Sequence, residues 1–147
     1  MKRIVLIFTL ALTFLGFSSF AEDIRVSQGA LQSFHSSFKA ASDVKWTRAA
    51  NYYKADFIFS GQYISAFYDA EGSLIAMTRY ISSLQLPIAL QASIKNNYSN
   101  FWINDLFEVA NEEGTTYYIT LQSGDKKLIL KSLSNSKWEG YKKQSQS

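Results

Sequence analysis

Ala30, Leu31, Phe34, Phe38 and Ala41 recur at spacings of three and four, which gathers them on one side of a helix over residues 27–41. Ser27 is the expected N-cap. Ser42 and Asp43 break that period, and from Val44 the chain alternates: residues 44–48 read as a half-buried strand. Tyr53, Ala55, Phe57 and Phe59 then alternate with Lys54, Asp56, Ile58 and Ser60, which makes a second strand with one apolar face. Gly61 stops it. Residues 62–68 and 74–81 give two more strands on either side of Asp69-Ala70-Glu71-Gly72, and residues 82–86 connect them to a second helix that Pro87 opens. Ile88, Ala89, Ala92, Ile94 and Tyr98 carry that helix to about Asn96-Asn97. Three strands follow, at 103–111, 116–122 and 127–133, with turns at Glu112-Glu113-Gly114 and Ser123-Gly124-Asp125 and a polar tail from 141.

The order is helix, strands, helix, strands. It predicts an α+β fold made of two copies of one unit, each a helix followed by an antiparallel meander, joined in one sheet with both helices on one face. Phe34 and Phe38 correspond in spacing to Ile94 and Tyr98.

The amino terminus adds a compartment. Lys2-Arg3 precede the apolar run 4–15, and Ser19 and Ala21 fit the small-residue positions of a signal-peptidase site. A signal peptide over residues 1–21 with cleavage after Ala21 is expected, and an uncleaved membrane anchor is the other reading of the same run. With the leader removed, residues 22–147 suffice for a single periplasmic or secreted domain that needs no membrane. The chain carries a net charge of +3, but Lys2 and Arg3 belong to the leader, so the remainder is near neutral and gives no phosphate track for nucleic acid. It has no cysteine, which excludes a lipoprotein anchor, thiol nucleophiles, disulfides and Cys-based zinc sites together.

Asp69-Ala70-Glu71-Gly72 raises the question of a cation loop. An EF-hand loop needs oxygen ligands at alternate positions through a dozen residues, whereas here apolar residues follow Glu71 at once. A hairpin turn accounts for each residue: Asp69 starts it and Gly72 supplies a positive φ. The stretch also carries a resemblance. "YDAEG" at 68–72, then "LIAMTRYI" and "LP" before a helix, with "VKW" at 44–46 and "YKADF" at 53–57, resembles the PepSY-like family, which is described as similar to β-lactamase-inhibitor proteins. That resemblance implies a small exported protein of a kind typical of Bacteroidetes, built of helix-plus-sheet repeats. It brings no catalytic residues and does not imply inhibition of β-lactamase, and it suggests protease or peptide binding outside the cytoplasm.

Recognisable catalytic chemistry is missing. His35 is the only histidine and sits beside the Leu31/Phe34/Phe38 face, and no nucleophile elbow, zinc helix or phosphate loop accompanies it. No cofactor or metal is expected. The aromatic fraction, 16%, is the feature that points to binding. Phe34, Phe38, Trp46, Phe57, Phe59, Phe107 and Tyr117 are assigned to the core. The sheet face without helices is left for a partner, with Tyr52 turned outward and Tyr63, Phe67, Arg79 and Tyr118 as contact candidates. The reading is a non-enzymatic domain that binds a protein or peptide. Its alternatives are a hydrolase in which His35 meets an acid and a serine in space, and a module holding an apolar small molecule between helices and sheet.

Overall fold

A computed structural model describes residues 24–143. Helix α1 (Gln28–Ser37) is followed by strands β1 (Ser42–Arg48), β2 (Tyr53–Phe59), β3 (Gln62–Tyr68) and β4 (Leu74–Tyr80). A 3-10 turn (Ser83–Gln85) leads into α2 (Ile88–Asn97), and β5 (Trp102–Asn111), β6 (Gly114–Ser123), β7 (Lys126–Ser134) and β8 (Lys137–Lys143) complete the order. The strands form one antiparallel sheet in sequence order, β1 to β8, as expected of joined meanders. The expected signal peptide and its cleavage site lie outside the described residues. Among the described residues, no helix is long and apolar enough to cross a membrane.

Each helix covers its own half of the sheet. Under α1, Ala30, Phe34, Ala55, Phe57, Ala66 and Tyr68 are buried together, and Phe38, Trp46 and Phe59 close the rim. Under α2, Leu86, Leu90, Leu106, Ile119, Leu121 and Leu130 do the same, with Ile94, Tyr98 and Trp138 around them. The two halves repeat local detail. Ser27 caps α1 by accepting from the Ala30 N–H at 3.2 Å. The helix ends at Ser37, short of the predicted 41, because the Phe38 N–H closes the last turn on Phe34 and Ala41 then turns back onto Phe38. Tyr98 and Phe101 make the same two bonds after α2. A bulge follows in both halves, between Ser42 and Lys45 and between Ile103 and Asp105.

Two sequence expectations need correction. Residues 137–143, left without an element up to the polar tail expected from 141, form an eighth strand, β8, and Trp138 reaches from it to donate its indole N–H to the Leu90 carbonyl of α2 at 3.1 Å. An edge strand that buries one side chain among polar neighbours has too little alternation to register as a strand. Phe107, assigned to the core, lies on the other side of the sheet. Leu106 is the buried neighbour on the helix side, and Phe107 pairs with Tyr118 across from it.

The Asp69–Gly72 segment is a hairpin turn, with Gly72 at φ 96°. Asp69 spends its carboxylate on the turn itself, accepting from the Ser73 N–H at 2.8 Å. The turn is also the seat of α1: Ser33 donates to the Gly72 carbonyl at 2.6 Å, and Gly29 touches the Glu71–Gly72 backbone.

Candidate binding face

Both helices lie on one side of the sheet, so the other side is defined by register. Cross-strand partners share a face. Asp56 pairs with Ser65, Ser65 with Thr78, and Thr78 with Val109, which sets these side chains opposite the helix-side row Phe57, Ile64, Arg79 and Glu108. No helix or strand among the described residues covers this face.

One line of aromatic residues crosses it. Ile58 pairs with Tyr63, Tyr80 with Phe107, Phe107 with Tyr118 and Tyr118 with Lys131. The β3–β4 register continued by one residue sets Tyr80 beside Tyr63. Ring centroids step along the line at 6.2 Å from Tyr80 to Phe107, 5.2 Å to Tyr118 and 5.3 Å to Tyr141. Phe107 and Tyr118 are stacked with 10° between their planes, and the Lys131 ammonium lies 5.6 Å from the centre of the Tyr141 ring. Such pairs each contribute on the order of 0.5–1.5 kcal/mol beyond area burial, so the line is a stiff row. Tyr63 and Tyr80 at one end are 57% and 58% exposed. Burial, and after it the neighbouring Tyr141, raises the Tyr118 phenol above its ordinary value, keeping it a neutral hydrogen-bonding group.

Beside this row runs a polar one. Ser65 donates its hydroxyl to Asp56 Oδ1, and Lys54 holds the same oxygen at 3.1 Å. Phe67 and Tyr52 pack at 5.5 Å on its far side.

The sequence candidates therefore separate. Tyr63 and Tyr118 stand in the aromatic row. Phe67 lies on the same face but is only 3% exposed. Arg79, expected there too, is on the helix side. Its register with Ile64 and Glu108 puts it between the two helix-covered cores, where it bonds Glu108 and reaches Gln62 at 2.6 Å. Sequence reasoning does not bring Tyr80 and Tyr141 to this face and assigns Phe107 to the core. Their cross-strand register is the signal that joins them, and it exists only in the fold.

His35 is exposed on α1, edge-on to Phe34, while the Asp56–Ser65 pair faces away on the opposite side of the sheet. Phe34, Phe57 and Tyr68 occupy the space under α1, and Leu90, Ile119 and Leu121 that under α2.

No family model matches the chain, and no curated protein matches it in sequence. Solved structures do. A BLIP-like protein from Bacteroides fragilis superposes with a TM-score of 0.72 at 23% identity, over 84% of this chain and 90% of that one. A DUF2874 family protein from Bacteroides uniformis gives 0.70 at 14% identity, over 78% and 86%. A Bacteroides eggerthii protein, provisionally described as periplasmic, gives 0.69 at 13% identity, over 80% and 90%. The resemblance read from the sequence thus holds at the level of fold: two helices on one eight-stranded antiparallel sheet, the fold of a BLIP-like protein.

Proposed function

We propose that this is an exported, non-enzymatic protein that docks a protein or peptide partner on the helix-free face of its sheet, and that it inhibits or modulates an enzyme outside the cytoplasm. The observation that carries the reading is the aromatic row. Tyrosines supply contact area at low cost in side-chain entropy, and interfaces concentrate energy in such residues. The amino terminus supports export, as does the periplasmic description of one structural neighbour. The inhibitory role is supported by the name of the BLIP-like neighbour.

The test is capture from periplasmic extract with the exported protein as bait, repeated with Tyr63→Ala and Tyr118→Ala. A specific partner that is lost from both variants, while each melts near the parent, bears the proposal out. Capture that survives in both variants places the interface elsewhere and overturns it.

A further inference from the structure

The polar row on the helix-free face gathers acceptor capacity on Asp56 and Ser65, which are 8% and 9% exposed, with Lys54 as the donor already paired to them. Ser65 has one hydroxyl proton, and it is committed to Asp56 Oδ1, so outward Ser65 presents lone pairs only. Lys54 contacts that same oxygen, which leaves Asp56 Oδ2 to a further donor. Thr78 sits directly across from Ser65 in β4, and its hydroxyl can turn to accept. Asp56 and Ser65 thus meet by hydrogen bond, and Thr78 is in register beside Ser65 on the next strand.

The fold does not need this arrangement. In the second half, the bulge and pairings that set Lys45 against Asp56 set Asp105 against Thr120, so Thr120 stands where Asp56 does. Its own partner is Ile129, in the place of Ser65. The backbone position of Asp56 is filled there by an uncharged Thr120. A nearly buried carboxylate costs desolvation even when it is paired, as Asp56 is with Lys54 and Ser65, so its place beside Ser65 calls for a chemical reason. Its surroundings supply one: Tyr63 and Phe67 lie two residues to either side of Ser65 on the same face of β3.

We infer that the Asp56–Ser65 pair is the anchor point of this face and receives the guanidinium of an arginine presented by the protein partner. This rests on the docking reading above. A group made only of donors matches the acceptor capacity of Asp56 and Ser65 and would take over the contact that Lys54 makes. Guanidinium adds two features that ammonium lacks, a planar fork that can bond Asp56 Oδ2 and Ser65 Oγ together and a flat surface that stacks on Tyr63. Lys54 is the resident stand-in. Its side chain is 34% exposed, so it can swing into water when a better donor arrives.

The inference can be tested without the partner. N-acetyl-arginine N-methylamide is titrated into the exported protein and followed by ¹H–¹⁵N NMR. The expected result is saturable shifts centred on Asp56, Ser65 and Tyr63, weaker with the lysine analogue and missing with the norleucine analogue. Asp56→Asn should abolish them, and Lys54→Met, which removes the internal competitor, should tighten binding several-fold. The spectra report folding at the same time. Should Asp56→Asn fail to fold, Ser65→Ala and Lys54→Met decide the matter. No saturable shift in either the parent or Lys54→Met overturns the inference, and so do shifts unchanged in Asp56→Asn or Ser65→Ala. Equal binding of the lysine analogue overturns the guanidinium assignment. Loss of the arginine site with capture still sensitive to Tyr63→Ala leaves the docking face standing. An intact arginine site with capture indifferent to Tyr63 and Tyr118 removes the docking face instead.

Discussion

Gly29 of α1 and Gly72 of the β3–β4 turn meet backbone to backbone, so closely that a Cβ on either would collide with the main chain of the other segment. The helix can sit this low on the hairpin only because both residues lack side chains. The contact is locked by Ser33, which donates to the Gly72 carbonyl at 2.6 Å.

Two glycine variants test this contact. Alanine normally favours a helix over glycine by up to about 1 kcal/mol, yet Gly29→Ala is expected to destabilise because the collision is with backbone that cannot turn aside. Gly72→Ala should cost more, since its φ of 96° alone penalises a side chain by roughly 1–2 kcal/mol. Thermal melts of both variants check this. A Gly29→Ala protein that melts above the parent would refute the close packing.

Tyr68 is buried under α1, and its hydroxyl has no hydrogen-bond partner among the described residues. A buried hydroxyl left unbonded costs on the order of 1–3 kcal/mol. Tyr68→Phe should therefore melt at or above the parent at neutral pH. A clear loss of stability in urea or heat would show that the hydroxyl does useful bonding.

The same burial pushes the Tyr68 phenol up to about 12 from 10.0. The folded state then holds this proton more tightly than the unfolded one, so stability is intact below pH 10 and falls as pH rises from 10 toward 12. Tyr68→Phe should flatten that part of the profile. Denaturation midpoints across the alkaline range that fall equally in parent and variant would exclude Tyr68 as the source.

Trp138 ties β8 to α2 through its indole N–H and packs against the second core. Trp138→Ala should destabilise by roughly 3 kcal/mol, toward the low end for a buried indole because the ring is only partly covered. Trp138→Phe keeps most of the packing and should lose about 1 kcal/mol with the hydrogen bond. Urea titrations rank the three proteins, and an alanine variant as stable as the parent would make β8 dispensable.

Arg79 and Glu108 join the central strands β4 and β5 on the helix side, with side-chain exposures of 32% and 18%. Water screens a pair this accessible, so a double-mutant cycle with Arg79→Met and Glu108→Gln should return a coupling of about 1 kcal/mol or less. Capture of a partner should be unaffected by Arg79→Met. Loss of capture with an unchanged melt would move the interface to the helix side.

Local pattern was enough for the helices, seven strands and the turn at Asp69–Gly72, because periodicity, capping and positive-φ chemistry act within a few residues. Ser27 and Gly72 do what their sequence neighbours require. The division of the aromatic residues between the two faces was beyond it. β5 carries Leu106 and Phe107 side by side, and β4 carries Met77, Arg79 and Tyr80, so both sides of each strand offer something apolar or long, and alternation alone cannot say which side meets a helix. Register decides it, and register depends on bulges such as the one between Ile103 and Asp105, each of which exchanges inside and outside for the rest of its strand. Register with Ile64 and Glu108 puts Arg79 on the helix side, and register with Tyr80 and Tyr118 puts Phe107 in the aromatic row. Trp138 became core only because the sheet brings β8 beside α2, a contact between residues far apart in the chain. Composition could show that the protein is rich in aromatic side chains, while their alignment into one row, with Asp56 and Ser65 beside it, is a product of strand pairing alone.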